Sequence, residues 1–388
     1  MRFLFCSLSS PGWLYPAVSI ALALQKKNHE VAFVTAKQNA EFLNELGLQR
    51  IQRAREKDGE SFHVSHWGNP YDVAIQVKHI DYALEQFKPD VLVGQPLTLG
   101  PTIVSERTNL PLAVIGLANY LWAWVKREPQ TNREGVLLWR HNAMMETYNK
   151  ARRLFKLPEL KSDPRESPLL GDLFLLQSVK ELYEDVEDFP EQVHFIGSCL
   201  WESPHQKNTL ETPLKSAIES RRPVIYVQCG PTFDRLAYWP EVMTALAQMD
   251  AEVFVSTGRM THELGPVPQH FHVAHHIAQE VVLPHANLIL CGGSTTTMLG
   301  SLVHGVPAVM IPAGSEHDEG AARCLDAGNV SVLPLEGLNL EIIAKEIQHV
   351  LSTPGYKERA MTFRQLFAEI DGPSQAAHLI EKLGVQRT

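Results

Sequence analysis

Short apolar runs recur along the whole chain, separated by stretches in which apolar positions return with a helical period. One series falls at residues 3–8, 31–35, 91–93, 112–117, 173–176 and 194–197. A second falls at 224–228, 253–256, 272–274, 288–290, 308–311 and 330–333. These runs are nearly continuous in apolar residues and do not alternate strictly, as expected of parallel strands covered on both faces. Helices are expected between them, among others at 17–26, 71–87 and 241–247. Strand and helix alternating twice over predicts an α/β protein with two doubly wound domains. The polar, proline-bearing stretch 202–222 reads as a linker. An N-terminal domain over 1–201, a C-terminal domain over 223–360 and closing helices in 361–388, the last at about 375–383, complete the expected organisation.

Composition narrows the class. With 388 residues, 44% hydrophobic and 20% charged, the chain can bury sizeable cores. A formal charge of −9 argues against nucleic acid as the main ligand. The five cysteines, Cys6, Cys199, Cys229, Cys291 and Cys324, are odd in number and scattered, which fits a reducing cytoplasm better than a disulfide framework. The apolar start is too short for a signal peptide, and no run approaches the length of a membrane span.

The segment 286–316 carries the most chemistry. Residues 288–290 read as a strand, Gly292 and Gly293 as a turn, and Ser294, Thr295, Thr296 and Thr297 supply hydroxyls where the next helix begins. Strand, glycine turn and hydroxyl-rich helix N-terminus together make an anion site, because free N–H groups and the positive end of the helix dipole converge there. A bare Gly-Gly-Ser serves packing equally well. The longer run, closing on His304-Gly305-Val306-Pro307 and a second short strand, is more specific.

That run resembles the donor-binding signature of the GT-B glycosyltransferases that act in natural-product and antibiotic biosynthesis. In that family His-Gly-Gly-x-Gly-Thr-Thr or His-Cys-Gly-x-Asn-Ser is followed by Gly-Val-Pro and then by Pro with an Asp/Glu-Gln pair. Gly12-Trp13-Leu14-Tyr15-Pro16 is similar to its first-loop Gly-His-x-x-Pro. Gly197 to Trp201 is similar to its step into the linker, residues 224–230 to its first C-domain strand, and His276-Ile277-Ala278-Gln279 to its Trp-x-Pro-Gln loop. The resemblance implies two Rossmann-like domains facing a central cleft, with the last helix packed back on the N-terminal domain. It further implies an enzyme that transfers a hexose from a nucleotide diphosphate sugar to a small molecule, needing no cofactor and no metal. The alternatives are a non-catalytic nucleotide-sugar-binding partner and a GT-B-fold epimerase, and a homodimer stays open.

Carried over residue by residue, donor contacts fall on Gly230, Thr232, His276, Ile277, Gln279, Cys291, Gly292, Gly293, Ser294, Thr295, Thr296, Glu316 and His317. Several depart from the pattern. His276 replaces the Trp that stacks on the base, and a metal role for the cluster His270, His272, His275 and His276 is the less favoured reading. Cys291 replaces the pyrophosphate-binding His, Thr295 a Gly or Asn, and Pro231 removes an N–H. Leu299 replaces a ribose-binding Glu, which favours a 2′-deoxy donor such as a dTDP-sugar over a UDP-sugar. Glu316 keeps an acceptor for sugar hydroxyls, while His317 leaves room for a sugar other than glucose.

The acceptor side departs further. Inverting enzymes of this type deprotonate the acceptor hydroxyl with a His polarised by an Asp. Trp13 and Gln95 stand at those two positions, and neither is a useful base. Another residue then serves, with His63, His66, Asp72 and Glu316 as candidates; or the acceptor is reactive enough to need none; or no turnover occurs. Gly12, Trp13, Trp67, Gln95 and Trp122 are the acceptor-binding candidates. With Trp124 and Trp139, the tryptophans suggest an apolar or aromatic aglycone, although core packing explains any single one. The run 120–124 also fits a protein-contact surface.

Overall fold

The computed structural model describes residues 1–52, 60–117, 132–186, 188–203, 210–228, 239–258, 267–313 and 317–386. The chain divides into two compact units, one of residues 1–201 and 370–388, the other of residues 202–369.

The first unit contains β1 (Arg2–Cys6), α1 (Pro11–Lys26), β2 (Glu30–Val34), α2 (Ala40–Glu45), β3 (Gln49–Arg50), α3 (Pro70–Phe87), β4 (Val91–Gly94), α4 (Leu99–Thr108), β5 (Leu112–Gly116), α5 (Asn132–Leu154), β6 (Leu173–Leu176) and β7 (Val193–Phe195). The second contains α6 (Glu211–Ser220), β8 (Val224–Gln228), α7 (Trp239–Ala247), β9 (Glu252–Ser256), β10 (Phe271–Ala274), α8 (Gln279–Val282), β11 (Leu288–Cys291), α9 (Thr295–His304), β12 (Ala308–Met310), α10 (His317–Ala327), β13 (Val330–Val332), α11 (Leu340–Ser352) and α12 (Pro354–Ala368). The last helix, α13 (Gly372–Gln386), returns to the first unit and packs on α1.

Both sheets are parallel throughout. The first has the order β3-β2-β1-β4-β5-β6-β7, the second β10-β9-β8-β11-β12-β13. Each therefore reverses direction of winding once, between β1 and β4 and between β8 and β11. In doubly wound sheets ligands bind outside the carboxyl ends of the strands at that reversal. Pairing of Cys291 with Gln228 sets the carboxyl ends of β11 and β8 side by side there.

The local signals explain the elements. Asn69 caps α3 by accepting from the Tyr71 N–H at 3.1 Å, with Pro70 at the first helical position. In α11, Asn339 accepts from the Ile342 N–H at 3.0 Å, and Ile343, Ile347 and Val350 bury one stripe against the second sheet. Phe3, Phe5, Val91, Val93 and Ile115 from the first sheet pack with Leu14, Val18 and Ile20 of α1 and Ile380 of α13. Each such side chain contributes on the order of 1.5–3 kcal/mol on burial.

Three features differ from the sequence reading. The stretch 202–222 holds α6 and belongs to the second unit, and the chain crosses back at residue 370, after α12 has ended, and not at 361. The two-residue edge strand β3 has no apolar run to announce it.

Candidate functional site

At the reversal point of the second sheet, Cys291 ends β11, Gly292 and Gly293 turn the chain, and Ser294 leads into α9. Gly293 has φ +82°, a left-handed conformation that glycine adopts without strain, and a Cβ there would lie 3.4 Å from the His317 carbonyl. Ser294 has extended backbone at the N-cap, with its Oγ 3.0 Å from Thr297 Oγ1. Ser294 and Thr296 are half-buried, whereas Thr295 and Thr297 are buried. The first-turn N–H groups and the half-exposed hydroxyls form one donor cluster at a positive helix end. His317 follows at the start of α10.

Cys291 is fully buried. Burial pushes its thiol up to about 12, offset in part by the Gly293 N–H directed at the sulfur. It is thus a neutral group facing inward, and that N–H is engaged with sulfur. Leu299, about one turn along α9, is 1% exposed.

The loop 275–279 follows β10. His276 is exposed by area, yet crowding by its neighbours first, and adjacent His275 second, lower its pKa from the ordinary value. Ile277 is buried, its N–H 3.4 Å from Ser256 Oγ. Gln279 opens the four-residue helix α8, and its N–H donates to Glu202 Oε1 at 2.6 Å. Burial raises the Glu202 pKa, and the backbone N–H groups of Gln279 and Glu280 partly counter it. Sequence reasoning missed Glu202, an acid in an apparent linker with no motif around it. The Gln279 side chain lies against α9 so closely that a Cβ on Gly300 would sit 2.3 Å from its Oε1. A mid-helix glycine, costing about 1 kcal/mol relative to alanine, is explained by that approach. His272, from the same histidine-rich stretch, bonds Glu252 at 2.8 Å. Among the described residues no three His, Cys, Asp or Glu side chains converge to hold a metal ion.

In the first unit the reversal point lies between β1 and β4. Gln95 closes it: its Oε1 accepts from the Leu8 N–H at 2.9 Å, and its Nε2 donates to the Trp13 carbonyl at 2.6 Å. Gln95 is 3% exposed and Trp13 7%. Both are built into the turn. Gly12, beside them, is half-buried.

Beside that turn runs the segment 61–67. The Phe62 carbonyl accepts from the Ser9 N–H at 2.8 Å. One 3-10 turn further, His66 Nδ1 lies 3.0 Å from Asp72 Oδ2, and Asn69 Nδ2 donates to the same oxygen at 2.6 Å. His63 stands edge-on to His66 at 5.9 Å, with its Nδ1 2.8 Å from Ser65 Oγ. Trp67 ends the turn, half-buried. So of the candidate bases, His66 and Asp72 meet as a hydrogen-bonded pair, with His63 adjacent. Gly230, Thr232, Glu316 and Trp122 lie outside the described residues, as do residues 120–124.

Comparison with known proteins agrees with this architecture. Residues 240–383 match the family model described as Erythromycin biosynthesis protein CIII-like, C-terminal domain. The chain is 26% identical to 4'-demethylrebeccamycin synthase of Lentzea aerocolonigenes, over 98% of this chain and 99% of that one. It is 23% identical to demethyllactenocin mycarosyltransferase of Streptomyces fradiae, over 98% and 86%. The crystal structure of the glycotransferase of kitacinnamycin superposes with a TM-score of 0.78 at 20% identity, over 98% of each chain. Over nearly its whole length the chain is thus similar to glycosyltransferases named for natural products, and residues 240–383 are similar to an Erythromycin biosynthesis protein CIII-like C-terminal domain.

Proposed function

We propose that the protein transfers a sugar from a dTDP-sugar to a hydrophobic small molecule, with inversion at the anomeric carbon and without a metal ion. The observation that carries the donor half is the glycine turn at the reversal of the second sheet. The half-buried hydroxyls of Ser294 and Thr296 stand at a helix N-terminus there, where the positive end of the helix dipole suits a diphosphate in the ground state and, more so, the departing diphosphate. In this reading His276 and Ile277 contact the nucleobase, and Gly230, Thr232, Glu316 and His317 are the further donor contacts that the family resemblance implies. Preference for the deoxynucleotide rests on Leu299, which supplies no acceptor for ribose hydroxyls and whose burial leaves only Ser and Thr on the open side of the helix start. An apolar acceptor is supported by the aromatic character of the N-terminal unit.

The test is calorimetric competition between dTDP and UDP, followed by product analysis with dTDP-sugars and a panel of aromatic and aliphatic alcohols. Tighter binding of dTDP and a glycosylated product are expected. Tighter binding of UDP would refute the donor assignment. Conversion of the nucleotide sugar without any acceptor would favour an epimerase.

A further inference from the structure

The two positions that hold the base in related enzymes are here occupied by Trp13 and Gln95, and both are committed to the fold. The same edge of the first sheet presents a second acid–base pair. Asp72 is fixed from two sides, by Asn69 and by its place in the first turn of α3, and it holds His66 through Nδ1. A carboxylate at Nδ1 sets the tautomer, so the lone pair lies on Nε2. Among the described residues Nε2 has no hydrogen-bond partner, and the His66 side chain is 33% exposed against 13% for Asp72. Among the described residues Asp72 bonds the ring and His63 stands edge-on to it, with His63 Nδ1 engaged with Ser65.

Large apolar side chains are exposed on α3 and α5. Tyr71 is 68% and Trp139 67% exposed, with Ile75 and Val136 exposed next to them in sequence on α3 and α5. These two helices pack together. Helices of a doubly wound unit run antiparallel to the strands they precede. Accordingly the far end of α5 meets α4 near its C-terminus, where Arg152 pairs with Glu106. The N-terminal turns of α3 and α5 thus lie at the carboxyl edge of the sheet, with His66.

We propose that His66, oriented by Asp72, is the general base, and that Tyr71, Ile75 and Trp139 hold the apolar body of the acceptor whose hydroxyl it deprotonates. This rests on the transferase reading above. The hydroxyl proton passes to His66 Nε2 as the acceptor oxygen bonds to the anomeric carbon. The bond from that carbon to the diphosphate oxygen breaks, and the electron pair leaves with the diphosphate. Asp72 balances the imidazolium until the proton is released to water. Asp72 is a positioning residue in this scheme, since it touches neither substrate.

The experiment measures kcat and KM for wild type, His66→Gln, Asp72→Asn and Tyr71→Ala/Trp139→Ala with hydroxyl acceptors of graded acidity, and dTDP affinity for each. His66→Gln should lower kcat about 10²- to 10⁴-fold with dTDP affinity unchanged. The loss should grow as the acceptor becomes less acidic, and be smallest for phenols that ionise unaided. Asp72→Asn should lower kcat with little change in KM, and the double aromatic variant should raise the acceptor KM alone. Activity of His66→Gln within about threefold of wild type for every acceptor, or a loss independent of acceptor acidity, overturns the proposal while leaving the transferase reading intact. Failure of the wild type to glycosylate any acceptor overturns both.

Discussion

Gly293 is the residue where one substitution discriminates most sharply. At φ +82°, a β-branched side chain is strained wherever it points, and its Cβ meets the His317 carbonyl and Met310. Gly293→Val should lower dTDP affinity by more than about tenfold, and calorimetry on the folded variant reads it. Thr296→Ala removes one half-exposed hydroxyl, worth about 1 kcal/mol, or roughly fivefold in affinity. The glycine turn and hydroxyl cluster were legible in the sequence because their chemistry is local to eight residues. The role of Gln95 was not. Its amide joins Leu8 to Trp13 across more than eighty residues, and a pattern shows only that no base stands there. Leu299 was read as a missing polar contact; its burial adds that Leu299→Glu would place a carboxylate inside the unit, so lowered stability is expected ahead of any shift towards UDP.

Among the elements, α8 has four residues and cannot sustain itself. The Glu202 carboxylate fixes its first turn. Because burial raises the Glu202 pKa, the folded state holds this proton longer than the unfolded chain does. The group's contribution is full below the ordinary carboxyl range, near ~4.3, and is lost as pH rises through the raised folded value. At neutral pH the buried charge is a net cost. Glu202→Gln keeps an acceptor without that charge, so its Tm should exceed the wild type's at pH 7 and the two should converge in acid. Glu202→Ala should instead weaken nucleotide binding, since the loop carrying His276 loses its brace. Strand positions were readable because buried parallel strands are continuous apolar runs. The helix within 202–222 was hidden by polar composition, and β3 by its length of two residues.

For the whole molecule, several histidines are held neutral by burial. His141 is enclosed with Nε2 3.1 Å from Ser167 Oγ, and burial lowers its pKa despite Asn142 and Asp163. His194 in the same unit and His304 in the other are lowered likewise, by burial first and then by Lys382 and Arg364 respectively. For a base with a depressed folded pKa, stability is full above the unfolded value of about 6.5 and is lost as pH falls through the folded one. Tm should therefore decline as pH drops below ~6.5, and His141→Gln should reduce the slope for the first unit. The proposed activity of this two-unit chain is movement of a sugar from nucleotide to acceptor. Its most direct test is a simultaneous count of dTDP released and glycosylated acceptor formed from a dTDP-sugar. Equal amounts of both are expected, with release dependent on acceptor. Tight dTDP binding with neither product, across a broad acceptor panel, would contradict it.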